Sequence, residues 1–482
     1  MKIFSNFIWR FLERAGAQGI QLIVTILLAR LLEPEVFGSV AIITAVISIL
    51  QVLIDGGLGN ALIQQKEIDN TDCSSVFFFN IFFCTVIYLI LFILSPFVAA
   101  FYGSDELTGL LRVSGIVVLI SGVKNVQQAI ITRELRFKCF FFSTIIGTLV
   151  SAIVGINMAV NGYGAWALVA QFVTNAMIDT LVLSITSRWR PEFVFSLSKL
   201  RRLLGYGWKL LASTLIDSVY GDFMQLVIGK VFLPNDLAFF NRGRSIPNTI
   251  VGNINTSIDS VLFPVLSKEQ DNTEKVKKIT QKAIIVSNYL MAPILMVMTF
   301  SAYTMIGFLL TEKWLPCVLY VRIFCIIYMM QPIHTANINA LKAIGRSDLV
   351  LRIEMIKKFV GIIVFLVTLK YGMKAVIFGY LIDNFFNQII NSYPNKKLLG
   401  YGYLSQLKDI IPSVTCAALS GFVVWFFCFL PVTTGLVVIL QFICGLLFYI
   451  LVTSVLHITA NTCFKELILA IYKERSSDKK NS

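Results

Sequence analysis

The sequence predicts an all-α membrane protein with about 14 transmembrane helices, arranged as two pseudo-symmetric six-helix bundles plus two extra helices. Composition is the first observation behind this prediction. Of the 482 residues, 57% are hydrophobic and only 14% are charged, whereas a soluble domain carries about 25% charged residues. Long apolar runs are the second observation, because a helix needs roughly 20 apolar residues to cross a bilayer. The third is a short turn sequence that the chain contains twice.

The apolar runs are helical spans and not barrel strands, because each is far longer than the roughly ten residues of a transmembrane strand. Charged Arg10, Glu13 and Arg14 interrupt the N-terminal segment, so it reads as an amphipathic lead-in and not as a cleavable signal. The predicted spans cover 15–33, 36–58, 74–100, 107–131, 140–160, 163–186, 207–232, 240–264, 283–310, 314–341, 350–369, 373–393, 409–429 and 433–456.

Basic residues set the predicted orientation. Only eight of the 41 Lys and Arg residues fall in the outer connections when the N-terminus is cytoplasmic and the spans alternate. Cytoplasmic connections of membrane proteins are rich in Lys and Arg. We therefore expect a multi-pass protein of the bacterial plasma (inner) membrane with both termini in the cytoplasm. Most of its net charge of +14 then lies at the inner leaflet, where it attracts anionic membrane lipids. The charge therefore gives no reason to expect binding of nucleic acid.

The repeated turn joins the first two spans and recurs between the seventh and eighth. "ARLLEPEVFG" occupies 29–38 and "GKVFLPNDLA" occupies 229–238, so Arg30 corresponds to Lys230 and Pro34 to Pro234. A second pair, "GYGAWALV" and "KYGMKAVI", opens the sixth and twelfth spans. Six helices separate the two copies of the turn, which indicates parallel repeats about an axis along the membrane normal. The alternative is that short outer turns resemble one another by chance.

The repeat predicts four regions along the chain. They are an N-terminal bundle of spans 1–6 at 1–186, a cytoplasmic interfacial linker at 187–206, a C-terminal bundle of spans 7–12 at 207–393, and spans 13–14 with a basic cytoplasmic tail at 394–482. The linker mixes apolar and basic side chains, a pattern typical of a helix lying in the membrane surface.

Polar side chains within the spans are the candidate site residues. Arg112 and Lys124 in the fourth span are candidates for binding a substrate head group, with snorkelling to the two membrane surfaces as the alternative. Twelve residues place them about 18 Å apart along the helix and on different faces. In the eighth span, Asn248, Asn255 and Asp259 share one side and are candidates for a cavity wall. Polar packing between helices is the alternative for that stripe.

Aspartates within spans are candidates for coupling to an ion gradient, because an intramembrane carboxylate is costly unless it has a function. Of these, Asp222 and Asp383 lie most centrally in their spans, and Asp217 joins them as a candidate. Asp217 and Asp222 are five residues apart and point away from each other. The six aspartates in predicted spans are Asp55, Asp179, Asp217, Asp222, Asp259 and Asp383.

Several kinds of chemistry lack a sequence signal. The chain contains no G-x-x-x-x-G-K-[ST] phosphate loop, so transport would use a proton or sodium gradient or the gradient of the substrate. The nine cysteines form no C-x-x-C pair, and neither a metal site nor a cofactor is expected. The outer loops are a few residues long and bring together no catalytic constellation, so we expect no enzyme.

Ordered short stretches resemble the polysaccharide-exporter family of Wzx-type O-antigen flippases, in the multidrug/oligosaccharidyl-lipid/polysaccharide superfamily. They include "LLARLLEPEVFGSVAI", "GLGNALIQQKE", "QQAIITRELRFK", "VLFPVLSKEQDN" and "ALKAIGRSDLVLRIEMIKK", spread over roughly 11–410. The resemblance implies movement of a polyprenyl-diphosphate-linked oligosaccharide from the inner to the outer leaflet for lipopolysaccharide, capsule or exopolysaccharide. Partner polymerases and glycosyltransferases are part of that expectation. One departure is Gly243, where relatives usually have Ala, and it concerns local helix packing.

Two alternatives stay open at this point. A cation-coupled multidrug exporter would have the same fold and the same composition. A membrane enzyme acting on the lipid-linked glycan would need a sizeable aqueous loop for acid–base chemistry, and the sequence offers none.

Overall fold

Helices make up most of the part of the chain that a computed structural model describes, namely residues 2–55, 57–65, 68–134, 136–429 and 434–466. No strand occurs in these residues. Contacts divide the chain into two compact units, Met1–Ala238 and Phe239–Ser482. The prediction of an all-α polytopic membrane protein is confirmed. The four-region division of the chain at 186, 206 and 393 stays a prediction.

Eight helices lie in the first unit, counted over its described residues. α2, α4, α5 and α7 share one apolar core, in which Ile47, Leu91, Leu110 and Val169 are buried. α1 packs on α6 and α7 through Leu28 and neighbouring apolar residues. The helices are α1 (Lys2–Leu31), α2 (Pro34–Asp55), α3 (Leu58–Gln64), α4 (Asn70–Tyr102), α5 (Glu106–Arg133), α6 (Phe137–Val160), α7 (Ala165–Ser187) and α8 (Leu197–Val231).

The second unit follows, and its first helix starts just before the unit boundary. Its core joins α9, α10, α12 and α15 through Leu266, Ile284, Ile333 and Ile410. Two 3-10 segments, Glu312–Cys317 and Phe426–Phe429, precede and follow helices of this unit. The helices are α9 (Pro234–Lys268), α10 (Thr273–Leu310), α11 (Val318–Met329), α12 (Gln331–Ala343), α13 (Ser347–Leu369), α14 (Met373–Leu399), α15 (Tyr403–Trp425) and α16 (Thr434–Val455).

Each of the fourteen predicted spans coincides with helical structure, with two differences of detail. The tenth span is broken into α11 and α12 at Met330, and the short α3 was not predicted. In the predicted linker, helix starts only at Leu197 and continues without a break into α8. Nine helical stretches of the described residues are long and apolar enough to cross a membrane. The polar helices α9 and α14 are not in that group.

The two copies of the turn have the same backbone hydrogen bonds. In the first copy, the amide of Leu32 donates to the carbonyl of Leu28 at 2.8 Å, and in the second Phe232 donates to Ile228 at 2.9 Å. The helices that follow begin at Pro34 and Pro234. Proline suits the first helical position, because its missing N–H has no partner there in any helix. The sequence echo therefore corresponds to one local structure built twice.

Gly38 allows the two turns to touch. A Cβ atom on Gly38 would lie 1.9 Å from the carbonyl oxygen of Pro234, far inside van der Waals contact. Gly243 has the same role in the second unit, where an added Cβ would lie 2.3 Å from the Cβ of Tyr320 on α11. The unusual glycine at 243 therefore allows close packing of α9 on α11.

Glycine also starts the helices of the second echo. Gly164 precedes α7 with φ 53°, and Gly372 precedes α14 with φ 91°. Both angles belong to the region that side-chain-bearing residues adopt only with strain. The shared Tyr-Gly step is therefore explained by a shared backbone requirement.

We expect Gly38→Ala to destabilise the protein. The new methyl group has to displace the backbone at Pro234, and overpacking of this kind costs about 1–3 kcal/mol. The measurement is the midpoint temperature at which purified protein loses its monodisperse peak in size-exclusion chromatography. Gly19→Ala is the matched control, because a Cβ there meets nothing within 4 Å. An unchanged midpoint for Gly38→Ala would contradict the close contact.

Candidate functional site

An ion pair lies inside the first unit, between two helices long enough to span the membrane. The ammonium group of Lys124 on α5 lies 2.7 Å from Oδ2 of Asp179 on α7. The two side chains are 24% and 13% exposed. A pair withdrawn from water to this extent is held by its mutual attraction, and loss of either partner leaves an uncompensated charge. Lys124 is therefore a membrane-embedded cation that α7 fixes in place.

Asp179 binds Lys124 with only one of its two oxygens. The other oxygen, Oδ1, is buried without a hydrogen-bond partner among the described residues. Gly147 on α6 brings α7 close at this level, because an added Cβ would lie 3.2 Å from Oδ1 of Asn175 and 3.4 Å from the Cβ of Asp179. The sequence placed Asp179 within a span but gave no reason to pair it with Lys124, since only the packing of α5 on α7 joins them.

Arg112 points to a different neighbour. Its guanidinium lies 4.0 Å from the ring centre of Phe92 on α4, and its Nε donates to the hydroxyl of Ser95 at 3.0 Å. Pro96 has no N–H and so leaves the carbonyl of Phe92 without its helical donor. Ser95 supplies a donor to that carbonyl at 2.8 Å, and Arg112 supplies a second at 3.4 Å. Arg112 therefore completes the hydrogen bonding of a proline-interrupted helix.

The structure gives fewer contacts for the two candidate aspartates of α8. Asp222 is half-buried and accepts a hydrogen bond from the hydroxyl of Ser218, one turn earlier, at 3.1 Å. The side chain of Asp217 lies outside the described part of the chain.

In the second unit, the polar stripe of α9 contacts α12 in register. Asn255 accepts from the hydroxyl of Thr335 at 2.7 Å, and Asp259 accepts from the amide of Asn339 at 2.6 Å. From the first pair to the second, the residue number rises by four on both helices, so the two helices run parallel here. Asn248, the third member of the stripe, is exposed.

A second polar stripe on α9 bonds partly to its own helix. The amide of Asn253 donates to the carbonyl of Thr249 at 2.8 Å, and the hydroxyl of Ser257 donates to the carbonyl of Asn253 at 2.9 Å. The side chains of Asn248, Asn253, Ser257 and Asp259 are all exposed. α9 thus presents amide, hydroxyl and carboxylate groups on a helix at membrane depth, where lipid would not solvate them.

The break between α11 and α12 creates backbone groups that side chains of other helices bind. The amide of Ile333 donates to Met330 instead of to the carbonyl of Met329. Asn288 on α10 donates to that carbonyl at 3.0 Å, and Asn384 on α14 donates to the carbonyl of Ile327 at 3.3 Å. Irregular backbone at membrane depth is tolerated only where protein groups or water bind it.

Below the break, α12 and α14 share a buried amide network. The side chain of Asn337 exchanges two hydrogen bonds with Gln406 on α15, at 2.8 and 2.9 Å, and accepts a third from Asn395 at 2.7 Å. All three residues are fully buried. Nearby, the amide nitrogen of Asn391 lies 2.7 Å from Nδ1 of His334. Amide side chains can both donate and accept, so they satisfy one another without net charge.

Asp383 lies on the same helix, α14. Its Oδ2 accepts from the amide of Asn387 at 2.9 Å, while its Oδ1 is buried without a partner in the described chain. α14 also carries four amide oxygens in the same condition, on Asn387, Gln388, Asn391 and Asn395. Buried oxygens without donors are rare in native proteins, so Asp383 stays a candidate for binding a proton or a cation. The sequence identified Asp383, but the amides of Asn387, Gln388, Asn391 and Asn395 along the same helix were not foreseen.

Removing either member of the Lys124–Asp179 pair should cost more stability than removing both. We expect Lys124→Ala and Asp179→Ala each to lower stability by about 1–3 kcal/mol, because each leaves a partly buried charge without its partner. The double variant should recover part of that loss. Thermal unfolding of the four purified proteins measures this coupling, and strictly additive losses would contradict a direct interaction.

Replacing Asn337 with Leu should destabilise the second unit. The substitution leaves the buried amides of Asn395 and Gln406 without their shared partner, at about 1–3 kcal/mol for each unsatisfied group. Asn248→Leu is the control, because the same change falls on an exposed side chain. Equal thermal midpoints for the two variants would contradict the network.

Comparison with known proteins gives both sequence relatives and structural neighbours. Over 290 residues, the chain is 27% identical to the succinoglycan biosynthesis transport protein ExoT of Rhizobium meliloti, covering 60% of this chain and 58% of that protein. Over 412 residues, it is 22% identical to the lipopolysaccharide biosynthesis protein WzxC of Escherichia coli, covering 83% and 82% of the two chains.

Two solved structures have a similar fold. The lipid II flippase MurJ in an inward closed conformation superposes with a TM-score of 0.75 at 16% identity, over 96% of this chain and all of that one. A multidrug resistance transporter of the MATE family, in the MOP superfamily, superposes with a TM-score of 0.61 at 15% identity, over 82% and 95%.

The family assignment comes from the sequence itself. Residues 27–319 match the family model described as polysaccharide biosynthesis protein, which is more than half of the 482 residues. The resemblance found in short ordered stretches is thereby confirmed over a continuous region. This chain belongs to the polysaccharide biosynthesis protein family.

Proposed function

We propose that this protein is a flippase for a lipid-linked oligosaccharide. It moves a polyprenyl-diphosphate-linked repeat unit from the cytoplasmic to the outer leaflet by alternating access, for surface polysaccharide biosynthesis. The observation that carries the proposal is a set of polar and charged side chains at membrane depth in a member of the polysaccharide biosynthesis family. The protein is a transporter, like the relatives named above, and it is not an enzyme.

The cargo defines what the protein has to supply. Each sugar hydroxyl costs several kcal/mol in hydrocarbon when it has no hydrogen-bond partner. The exposed amides and hydroxyls of α9 are groups that bind sugar hydroxyls, and they lie on a helix of 35 residues, which is longer than the roughly 20 residues that cross a bilayer. Asn248, Asn255 and Asp259 are the residues we assign to this contact.

A diphosphate additionally needs cations. Lys124 is the better candidate of the two in α5, because its ammonium binds a single carboxylate oxygen and phosphate oxygens can compete for it. Arg112 is held by Phe92 and Ser95 of α4, and we assign it a contribution to the positive field. In this proposal Asp179 holds Lys124 in place until the anionic cargo arrives.

A gradient of protons or sodium ions supplies the energy in this proposal. Asp383 is the strongest coupling candidate, because its Oδ1 and the amide oxygen of its neighbour Asn387 are buried without donors among the described residues. Asp222 is the second candidate, and Asp217 stays a candidate on sequence grounds alone. The setting we propose is the bacterial inner membrane with both termini cytoplasmic, next to a polysaccharide polymerase and glycosyltransferases.

A cation-coupled multidrug exporter is the second candidate function, because a MATE transporter shares the fold. Fold alone does not decide function. The family match favours polysaccharide biosynthesis, and the two functions differ in a measurable consequence. Loss of a flippase leaves its lipid-linked cargo on the cytoplasmic side, whereas loss of an exporter raises sensitivity to drugs.

Deletion of the gene in its host should cause an undecaprenyl-linked repeat unit to accumulate and the surface glycan to disappear. Mass spectrometry of the lipid extract measures the accumulated compound and identifies its sugars. A deletion strain with a normal surface glycan, no accumulated intermediate and increased drug uptake would favour the exporter instead.

Asp383→Asn should abolish most export without lowering the amount of protein in the membrane. The amide keeps the size of the carboxylate and its hydrogen bond to Asn387, but it cannot bind a proton or hold a cation by charge. We expect at least a tenfold loss of surface glycan in the complemented deletion strain. Asp105→Asn, on an exposed residue at the start of α5, is the control. Wild-type glycan levels in Asp383→Asn would remove this residue from the coupling site.

A further inference from the structure

A basic cavity lies in the first unit, at the ends of three helices and away from the polar groups discussed so far. It has a volume of about 610 Å³. Its walls come from the start of α4, the end of α5 and the segment that follows α7, and they include Arg133, Arg188, Trp189 and Arg190. Since these helices span the membrane by length and composition, the cavity lies at the level where head groups begin.

The acidic groups of the cavity are neutralised by cations outside it. Asp69 forms an ion pair with Lys199, and Glu134 forms one with Arg136 at 3.0 Å. The hydrogen bond from Lys199 lowers the pKa of Asp69 to about 2, so this carboxylate stays ionised and paired at neutral pH. Among the residues that the structure describes, no acidic side chain forms an ion pair with Arg188 or Arg190, so these two lining arginines contribute positive charge to the cavity.

Hydrogen bonds to carbonyl groups hold the guanidinium groups of Arg133 and Arg190 in position. Arg133 donates to the carbonyls at the end of α3, including that of Leu62 at 3.3 Å. Arg190 donates to the carbonyl of Ser184 at 2.7 Å, in the last turn of α7. Basic residues at a helix C-terminus are favoured by the helix dipole, so both guanidinium groups are fixed at the rim.

Arg188 is held in an uncommon backbone conformation. Its φ is 60°, which for a residue with a side chain costs of order 1 kcal/mol or more. Its side chain is exposed and lines the cavity. The surrounding structure thus maintains a strained residue that turns a charged side chain toward open space.

The segment after Trp189 carries apolar side chains into solvent while its backbone is fixed. The amide of Glu192 donates to the hydroxyl of Ser74 at 3.0 Å, and that of Ser196 donates to Ser75 at 2.9 Å. Phe193, between these two anchor points, is 98% exposed. Exposed aromatic side chains beside basic residues are typical of a surface that inserts into the head-group region of a bilayer.

We propose that this cavity binds the phosphate group of a membrane lipid, with Arg188 and Arg190 contacting the phosphate and Phe193 inserting among the acyl chains. Guanidinium groups bind phosphate through paired hydrogen bonds. Two sources present this chemistry at the membrane surface, an anionic phospholipid and the diphosphate of the lipid-linked cargo. The phospholipid case is independent of the proposed flippase function, and the cargo case rests on it by making the cavity a loading site.

The test is native mass spectrometry of the full-length protein in detergent, with three probes. These are phosphatidylcholine, phosphatidylglycerol and undecaprenyl diphosphate. The wild-type protein should bind one of the two anionic lipids at least tenfold more tightly than phosphatidylcholine. Preference for phosphatidylglycerol identifies a bulk lipid as the occupant, and preference for undecaprenyl diphosphate identifies the cargo.

Arg188→Gln combined with Arg190→Gln should reduce that preference about tenfold. Arg190 also binds the end of α7, so Arg188→Gln alone, expected to lose about threefold, is the variant that keeps the test valid if the double variant is unstable. Arg201→Gln is the matched control, because Arg201 is exposed in the same basic region and does not line the cavity. Anionic lipid binding that is equal to phosphatidylcholine in the wild type, or unchanged in Arg188→Gln, would overturn the proposal. The flippase proposal would survive either result, since it is tested separately by deletion in the host.

Discussion

Polar groups at membrane depth need partners from within the protein, and this constraint explains most of the structure. Lipid offers no hydrogen bonds, so each interrupted helix and each polar side chain requires a donor or acceptor nearby. Pro96 interrupts α4, and Ser95 with Arg112 supplies the missing donors. The break at Met330 interrupts the tenth span, and Asn288 supplies a donor to the carbonyl of Met329, which lacks its helical donor. Side chains that look like site residues can therefore serve the backbone first.

The same constraint separates structural polarity from functional polarity. The side chains of Asn337 and Gln406 satisfy each other through two hydrogen bonds and are fully buried, which is the behaviour of a network that holds helices together. Asp179 and Asp383 behave differently, because each is a carboxylate with one buried oxygen that has no donor among the described residues. An incompletely satisfied carboxylate is costly to maintain, so its retention favours a transient partner over a purely structural purpose.

Two polar helices carry a large share of the residues assigned to the proposed transport. Among the described residues, α9 and α14 are not in the stretches that are apolar enough to cross a membrane by composition. α9 carries exposed amide and hydroxyl groups, and α14 carries Asp383 and several buried amide oxygens without donors among the described residues. A lipid-linked sugar and a coupling ion both need polar surface at membrane depth, and the proposal assigns these two needs to α9 and α14. Apolar helices around them supply the packing that positions such surface.

The sequence by itself determined the class of protein, the place of each span and the repeated turn. Long apolar runs leave no other solution than membrane helices, and proline with flanking small residues defines the same turn at 34 and 234 because its backbone needs are local. Only the tertiary structure decided which charges are paired. Lys124 and Asp179 are far apart in sequence, and Arg112 could be assigned to α4 only once Phe92 and Ser95 were placed beside it. Side-chain pairing between helices depends on their packing and rotation, which hydrophobic patterning constrains too weakly to fix, since several rotations bury a similar apolar area.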